Sequence, residues 1–325
     1  AEHAALRTWV IARLLWDPKQ DYRALVKEFV DGYYGPAAPF MMQYIDLSYD
    51  SMIKTGDTFR EKTTVVNQYV NLDFVIEADK LFEQAHAAVK DNPEFLRHVE
   101  TTRMAVDCPV LIRRAEFAEA ARKRNLNWTP DTEARTARLF ANWDAAKVRE
   151  YIQGGNLKEL KDLLTIERKT PEVPDLAQGL PATDWIDFQD LAFTRYGSKI
   201  VADPAASDGA AIRLDGNNSV WAAQLRRYKL PREGKWDLYA SVRIDKGGKG
   251  TEADAAVNIG LSPPMGRFNT GTVGELGDGV YHWIKVPGSP MTYAQEDEQL
   301  MYVQPRQNMT KYIYIDRVVA IRHKP

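Results

Sequence analysis

At 325 residues the chain exceeds what one hydrophobic core commonly holds, so two domains are expected before any pattern is read. Hydrophobic residues make up 44% and charged residues 27% of it, enough apolar surface for packed cores, and no run approaches the roughly 18 apolar residues of a transmembrane helix. The net charge of -2 excludes a basic nucleic-acid footprint, and a single cysteine, Cys108, excludes an intramolecular disulfide and a CxxC zinc pair.

The pattern is helical from Ala4 to Leu15, with no basic stretch, apolar core and cleavage site before it to mark a signal peptide. This abrupt start leads us to expect an excised or matured piece of a longer protein. From Asp21 to Gly35 the apolar residues Tyr22, Leu25, Val26, Phe29, Val30 and Tyr33 recur at helical spacing. Asp21 is the expected N-cap, Gly35 the C-terminal stop and Pro36 the block to continuation. A third helix is predicted over Ala37 to Ile53, ended by Thr55, Gly56 and Asp57. Further helices are predicted over Phe74 to Lys90, Pro93 to Arg124, Asp131 to Gln153 and Asn156 to Lys169. Pro109 should kink or break the second of these, because proline removes a backbone donor and clashes with the preceding turn. Everything before residue 170 therefore reads as helix or turn, an all-α domain over 1–169.

Thr170 to Pro174 is a stiff polar connector, after which the helical period is lost. Over Lys235 to Asp245, Trp236, Leu238, Ala240, Val242 and Ile244 alternate with polar or aromatic neighbours, the period of a half-buried strand. Similar runs lie at Ala210–Leu214, Trp221–Leu230, Ala255–Leu261, Val280–Val286, Leu300–Val303 and Lys311–Ile321, separated by Gly, Pro, Asn and Asp clusters. Seven or eight strands at this spacing predict an antiparallel two-sheet sandwich over 170–325. Strands and helices do not alternate, so neither a (β/α) barrel nor a Rossmann sheet is expected.

The stretch from Leu6 to Pro18, with its Leu14-Leu15-Trp16-Asp17-Pro18 run, and the following Phe29 to Pro39, with Gly32-Tyr33-Tyr34-Gly35, resemble a bacterial family of glycoside-hydrolase-like proteins known chiefly as a domain of unknown function (DUF4838). In that family such a segment follows a barrel related to those of α-glucuronidases and hexosaminidases. Asp278-Gly-Val-Tyr-His-Trp283 and the closing Tyr312 to Val318 look like carbohydrate-binding modules of the galactose-binding-like, jelly-roll type. The resemblance implies a preceding catalytic barrel as partner, polysaccharide or oligosaccharide as ligand, and an extracellular or periplasmic location. It places the catalytic carboxylates on the barrel, and no position here matches one. The implied role is accessory rather than enzymatic, with neither nucleic acid nor membrane as partner.

Sugar recognition rests on flat aromatic faces flanked by groups that bond hydroxyls. With the alternating apolar residues inward, Tyr239 and Arg243 turn outward, as do Tyr281 and Trp283 beside inward Val280, Ile284 and Val286. The last strand likewise buries Ile313 and Ile315 and turns Tyr312, Tyr314 and Asp316 outward. These seven are the candidate glycan-binding residues, with Trp221 and Phe268 as further candidates. The alternative left open is that the aromatics are packed, making the sandwich a purely structural module. In the helical domain Trp9 and Trp16 sit a heptad apart, which implies core packing, and Arg226-Arg227 reads as a solvated pair. Tyr33 and Tyr34 either share the helical core or face a neighbouring barrel. A hydrolase needs two carboxylates about 5 to 10 Å apart, and the acidic run Glu296-Asp297-Glu298 reads as a solvated loop. The five histidines have no zinc spacing. No cofactor is expected, except that a structural calcium ion is compatible with the loop acids Asp203, Asp208, Asp215 and Asp254, whose spacing identifies no ligand set.

Overall fold

A computed structural model describes residues 3–56, 68–148, 150–152, 155–262, 269–296 and 300–324. The chain divides into two compact units, Ala1–Leu157 and Lys158–Pro325. Among the described residues no helix is long and apolar enough to cross a membrane. Phe268, Asp57, Gln153, Asp297 and Glu298, named above, lie outside the described residues.

The first unit contains helices α1 (Ala4–Trp16), α2 (Tyr22–Tyr34), α3 (Ala38–Thr55), α4 (Leu72–Val89), α5 (Pro93–Ile112), α6 (Arg114–Lys123) and α7 (Thr132–Ala145). Asp21 caps α2 by accepting from the backbone N–H groups of Arg23 and Ala24. Gly35 has φ +53, and a Cβ there would stand 2.5 Å from the Phe95 ring. Only glycine combines that φ with so close a neighbour. Pro36 redirects the chain without stopping it: a 3-10 turn over Gly35–Ala37 leads straight into α3. The predicted break falls one turn after Pro109, at Arg113 (φ -100, ψ 22), whose N–H donates to the Pro109 carbonyl. The Val30, Tyr34, Met41, Tyr44, Phe82, Val99 and Phe117 side chains form the core. Beside it lies an ionic cluster. Asp107 is fully buried and accepts from Arg135 at 2.7 Å and from Arg138 at 2.7 and 2.9 Å, while Arg135 also reaches Asp79.

Two expectations fail in this unit. Asp131 to Gln153 is not one helix: α7 ends at Ala145, and β1 (Glu150–Ile152) pairs antiparallel with β2 (Gly155–Asn156). Trp16 is 92% exposed although it shares an azimuth with Trp9, whose ring meets Phe29 at 5.8 Å. A helical face buries a side chain only where another element lies opposite, and Trp16 is the terminal residue of α1.

Helix α8 (Leu157–Thr165) leads into the second unit. Leu160, Leu163 and Ile166 are buried, Glu159 pairs with Arg195 at 2.8 Å, and the Lys169 N–H donates to the Asp208 carbonyl. The residues just before the Thr170–Pro174 connector are thus fastened to the sheets that follow it. Arg168 completes this attachment, pairing with fully buried Asp190 at 2.7 Å and with Asp208.

The strands are β3 (Trp185–Gln189), β4 (Thr194–Arg195), β5 (Ser198–Ala202), β6 (Ala210–Asp215), β7 (Ala223–Arg226), β8 (Trp236–Asp245), β9 (Ala255–Ser262), β10 (Asn269–Thr272), β11 (His282–Lys285), β12 (Leu300–Pro305) and β13 (Tyr312–Arg322). They form two antiparallel sheets. One has the order β10-β9-β12-β7-β4; the other runs β11-β8-β13-β6-β5, with β3 also on β13. A single helical turn, α9 (Val273–Leu276), follows β10 with a complete capping box at Thr272 and Glu275. Along β8 the predicted inward residues Trp236, Leu238, Ala240, Val242 and Ile244 are all at most 1% exposed. Of their registered partners on β13, Arg322, opposite Trp236, is half-buried, and Ile313, Ile315, Val318 and Ala320 are fully buried. Each such residue stabilises the sandwich by about 1.5 to 3 kcal/mol if large.

The register of β13 against β8 shifts between Ile315 and Val318, so that Asp316 and Arg317 together oppose Ser241. Before this bulge β13 pairs with β6, and from Arg317 onward with β3. Asp316 lies on the side of the sheet that carries Ser241 and is 4% exposed because the loop bearing Ser207 covers it. Val280, expected inward, lies just before β11 and is 54% exposed. Arg226, expected in solvent, is buried on β7.

Candidate functional site

The face of the six-stranded sheet turned away from its apolar interior carries the predicted aromatics. Register puts Trp283 opposite Ser241 and Lys285 opposite Tyr239. Tyr314 lies between Arg243 and Arg213, and Tyr312 between Asp245 and Asp215. Tyr239, Arg243, Tyr281, Trp283, Tyr312 and Tyr314 are all half-buried. Each ring has a cation over it. Arg243 sits 3.9 Å from the Tyr314 centroid and 5.4 Å from that of Tyr281. Arg213 lies 4.5 Å from Tyr312, Arg317 5.5 Å from Trp283 and Lys285 5.7 Å from Tyr239. Cation–π contact therefore fixes the rings in place.

Much of this face is tied internally. Arg243 donates to Asp203 at 2.7 Å and to Asp245 at 3.0 Å, and the Tyr281 hydroxyl donates to Asp203 at 2.6 Å. Burial pushes the Asp203 carboxyl up, but the bonds from Tyr281 and Arg243 more than offset it and hold it below the usual carboxylate range. Burial together with that carboxylate drives the Tyr281 phenol far up. The Tyr314 hydroxyl donates to Asp245 at 3.0 Å, and burial plus this bond push it up to about 12. Asp316 accepts from the Ser207 N–H at 2.8 Å and hydroxyl at 2.7 Å, and from Ser241 at 3.2 Å. Burial raises its carboxyl despite these donors. Tyr281, Arg243 and Asp316 thus fasten the 203–207 loop to the sheet.

At the Tyr312 end the face opens into a cavity of about 580 Å³ bordered by Arg213, Asp215, Asn217, Lys249, Asn308, Thr310, Lys311 and Tyr312. Three loops build it, following β6, β8 and β12. Their backbones are zipped together: the Gly216 N–H donates to the Lys311 carbonyl, the Asn308 N–H to that of Gly216, the Lys249 N–H to that of Asn308 and the Gly250 N–H to that of Met309. Close approach is what the glycines permit, since a Cβ on Gly216 would fall 1.8 Å from the Thr310 carbonyl oxygen. Thr310 is 3% exposed and its hydroxyl has no hydrogen-bond partner. A buried orphan of this kind is costly unless a ligand or water bonds it. The sequence reading named Tyr312 but missed the loop residues, whose Gly-Asn and Gly-Gly-Lys composition signals a turn and nothing more.

The remaining candidates divide. Trp221 stacks on Tyr302 of the other sheet at 4.4 Å and 12°. Tyr34 is buried with its hydroxyl on Thr102 at 2.8 Å, and Tyr33 stacks on His98 at 3.7 Å and on Phe29 at 4.9 Å; both belong to the helical core. Asp203, Asp208 and Asp254 are engaged by Arg243, Arg168 and Thr251 respectively, and Asp215 stands on the cavity rim. Among the described residues no three His, Cys, Asp or Glu side chains gather as a metal ion would require.

A family described as a domain of unknown function (DUF4838) matches residues 1–46. No curated protein matches the chain. Among solved structures, the insecticidal crystal protein Cry7Ca1 of Bacillus thuringiensis is similar over 43% of this chain and 23% of its own length, at 13% identity and a TM-score of 0.30. The chain thus spans less than a quarter of that toxin. The CBM22-1 xylan-binding domain of Paenibacillus barcinonensis Xyn10C is similar over 43% of this chain and 95% of its own, at 10% identity and a TM-score of 0.31. The second N-terminal cellulose-binding domain of Cellulomonas fimi β-1,4-glucanase C is similar over 48% and 97%, at 12% identity and a TM-score of 0.26.

Proposed function

We propose that the sandwich unit binds glycan in the cavity beside Tyr312 and along the aromatic face that continues from it, as a non-catalytic accessory region of a glycoside-hydrolase-like protein. The observation that carries this reading is the unpartnered Thr310 hydroxyl in a cavity of about 580 Å³ with fixed walls. That volume lies within the roughly 300 to 1,000 Å³ of small-ligand sites. Asn217, Asn308, Asp215 and Arg213 add donors and acceptors suited to sugar hydroxyls. Among the described residues Asp215 is the one carboxylate of the lining, where hydrolysis of a glycosidic bond takes two. A module of this kind meets polysaccharide outside the cytoplasm, so an extracellular or periplasmic location goes with the reading, as does a catalytic barrel as covalent neighbour.

The test is affinity-gel retardation and glycan-array binding of the whole chain, with Tyr312→Ala as the site variant and Trp283→Ala as the face variant. We expect retardation by at least one polysaccharide, lost in Tyr312→Ala and weakened in Trp283→Ala. A blank array would refute the reading. A purely structural sandwich is the second reading, favoured by the engagement of Arg243 and Tyr281 with Asp203; it predicts that same blank array together with loss of stability in Tyr312→Ala.

A further inference from the structure

The charge around the cavity is lopsided in a way that the rest of the face is not. Along the sheet, each cation over an aromatic ring is neutralised: Arg243 by Asp203 and Asp245, Lys285 by Asp237 at 2.9 Å and Arg317 by Asp187 at 3.1 Å. At the cavity this bookkeeping stops. Lys249 and Lys311 have no carboxylate partner among the described residues, and Arg213 faces Asp215 only at 3.8 Å, with its Nε donating to nothing. Three cations thus share one carboxylate.

The aromatic there is also occupied. Arg213 lies 4.5 Å and the Lys311 ammonium 5.4 Å from the centroid of Tyr312. The ring therefore serves as a rest that holds two cations at the cavity rather than as a bare platform for a neutral pyranose. Held guanidinium and ammonium groups beside a buried hydroxyl donor match a ligand that brings negative charge and acceptor oxygens. A neutral sugar would leave the cations unmatched.

Resting on the glycan-binding reading, we infer that the cavity takes an anionic sugar, one bearing a carboxylate or a sulfate ester, recognised by Arg213, Lys249 and Lys311, with the Thr310 hydroxyl donating to one of its oxygens. The experiment titrates the whole chain by calorimetry with a polyuronate, with the same polymer after chemical reduction of its carboxyl groups, and with a sulfated polysaccharide. A Lys249→Gln/Lys311→Gln double variant, checked for native circular dichroism, is run alongside. We expect binding of the polyuronate or the sulfated polymer, loss of at least about tenfold in the double variant, and a similar loss as salt shortens the screening length from about 10 to 3 Å. Binding to the polyuronate but not its reduced form assigns the carboxylate; binding to the sulfated polymer alone assigns the sulfate ester. Equal binding of native and reduced polymer, with the double variant unaffected, overturns the inference and leaves glycan binding standing. Failure of every neutral and anionic glycan overturns both.

Discussion

Asp107 offers the sharpest test of how the helical unit is held together. Its carboxylate is fully buried and accepts three hydrogen bonds from two arginines. Replacing it with alanine strands both cations. Arg138 is 21% exposed and recovers water, and Arg135, only 4% exposed, keeps Asp79 and the Pro130 carbonyl. Removing one partner of a buried ionic cluster costs about 3 to 5 kcal/mol, and these remaining contacts put Asp107→Ala at the lower end, about 3 kcal/mol. In a unit of this size that lowers the melting midpoint by roughly 6 to 12 °C. Asp107→Asn keeps an acceptor and the shape while losing the charge, so about 2 kcal/mol is expected. The assay is thermal and urea unfolding followed at 222 nm, where helices dominate the signal, with Glu119→Ala, which removes a carboxylate paired with Arg122 and Lys123 outside the cluster, as a control expected to shift the midpoint far less. If Asp107→Ala shifts the helical transition no more than Glu119→Ala does, the cluster does not stabilise the unit and the argument fails.

Gly35→Ala should destabilise the same transition by about 2 kcal/mol or more, since it meets both a positive φ and the Phe95 ring; adding Phe95→Ala should relieve the clash but not the strain, and double-mutant unfolding would show additivity if the contact were immaterial. In the sandwich, burial and neighbouring Asp190 push the Asp208 carboxyl up to about 6. A carboxyl whose folded value lies above its unfolded one binds its proton more tightly when folded, so lowering the pH through 6 stabilises the folded state. Relative to Asp208→Asn, the parent should therefore gain stability from pH 7 to 5 in urea titrations; a constant or shrinking difference would contradict the raised value.

What the sequence disclosed follows from where periodicity has a physical cause. The β8 alternation was legible because one side of that strand is sealed against the interior, leaving Tyr239 and Arg243 on the other. The Asp21 cap was legible because an acceptor at that position has one local use. Strands β3 to β5 were not foreseen. Each is at most five residues long, too short to establish a period, and β3 exists because β13 offers it an edge. The end of β13 departs from simple alternation for a related reason: the pattern assumes unbroken register, and the extra residue opposite Ser241 brings Val318 rather than Arg317 opposite Ala240. The cavity was the least legible part. Its walls come from three loops distant in sequence, and nothing local announces that Lys249, Thr310 and Lys311 will meet.

The position of β13 bears on how the sandwich comes into being. It is the last strand of the unit in chain order and the central one of its sheet, the shared neighbour of β8, β6 and β3. While a ribosome is still making the loop before it, β5–β6 and β8–β11 can exist only as separate ribbons and β3 has no partner in the sheet. Each carries an open edge of the kind that invites misassembly. The unit therefore depends on its final eleven-residue strand not as a rim to be trimmed but as the keystone that joins pieces made long before it, and chaperone demand should peak just before that strand emerges.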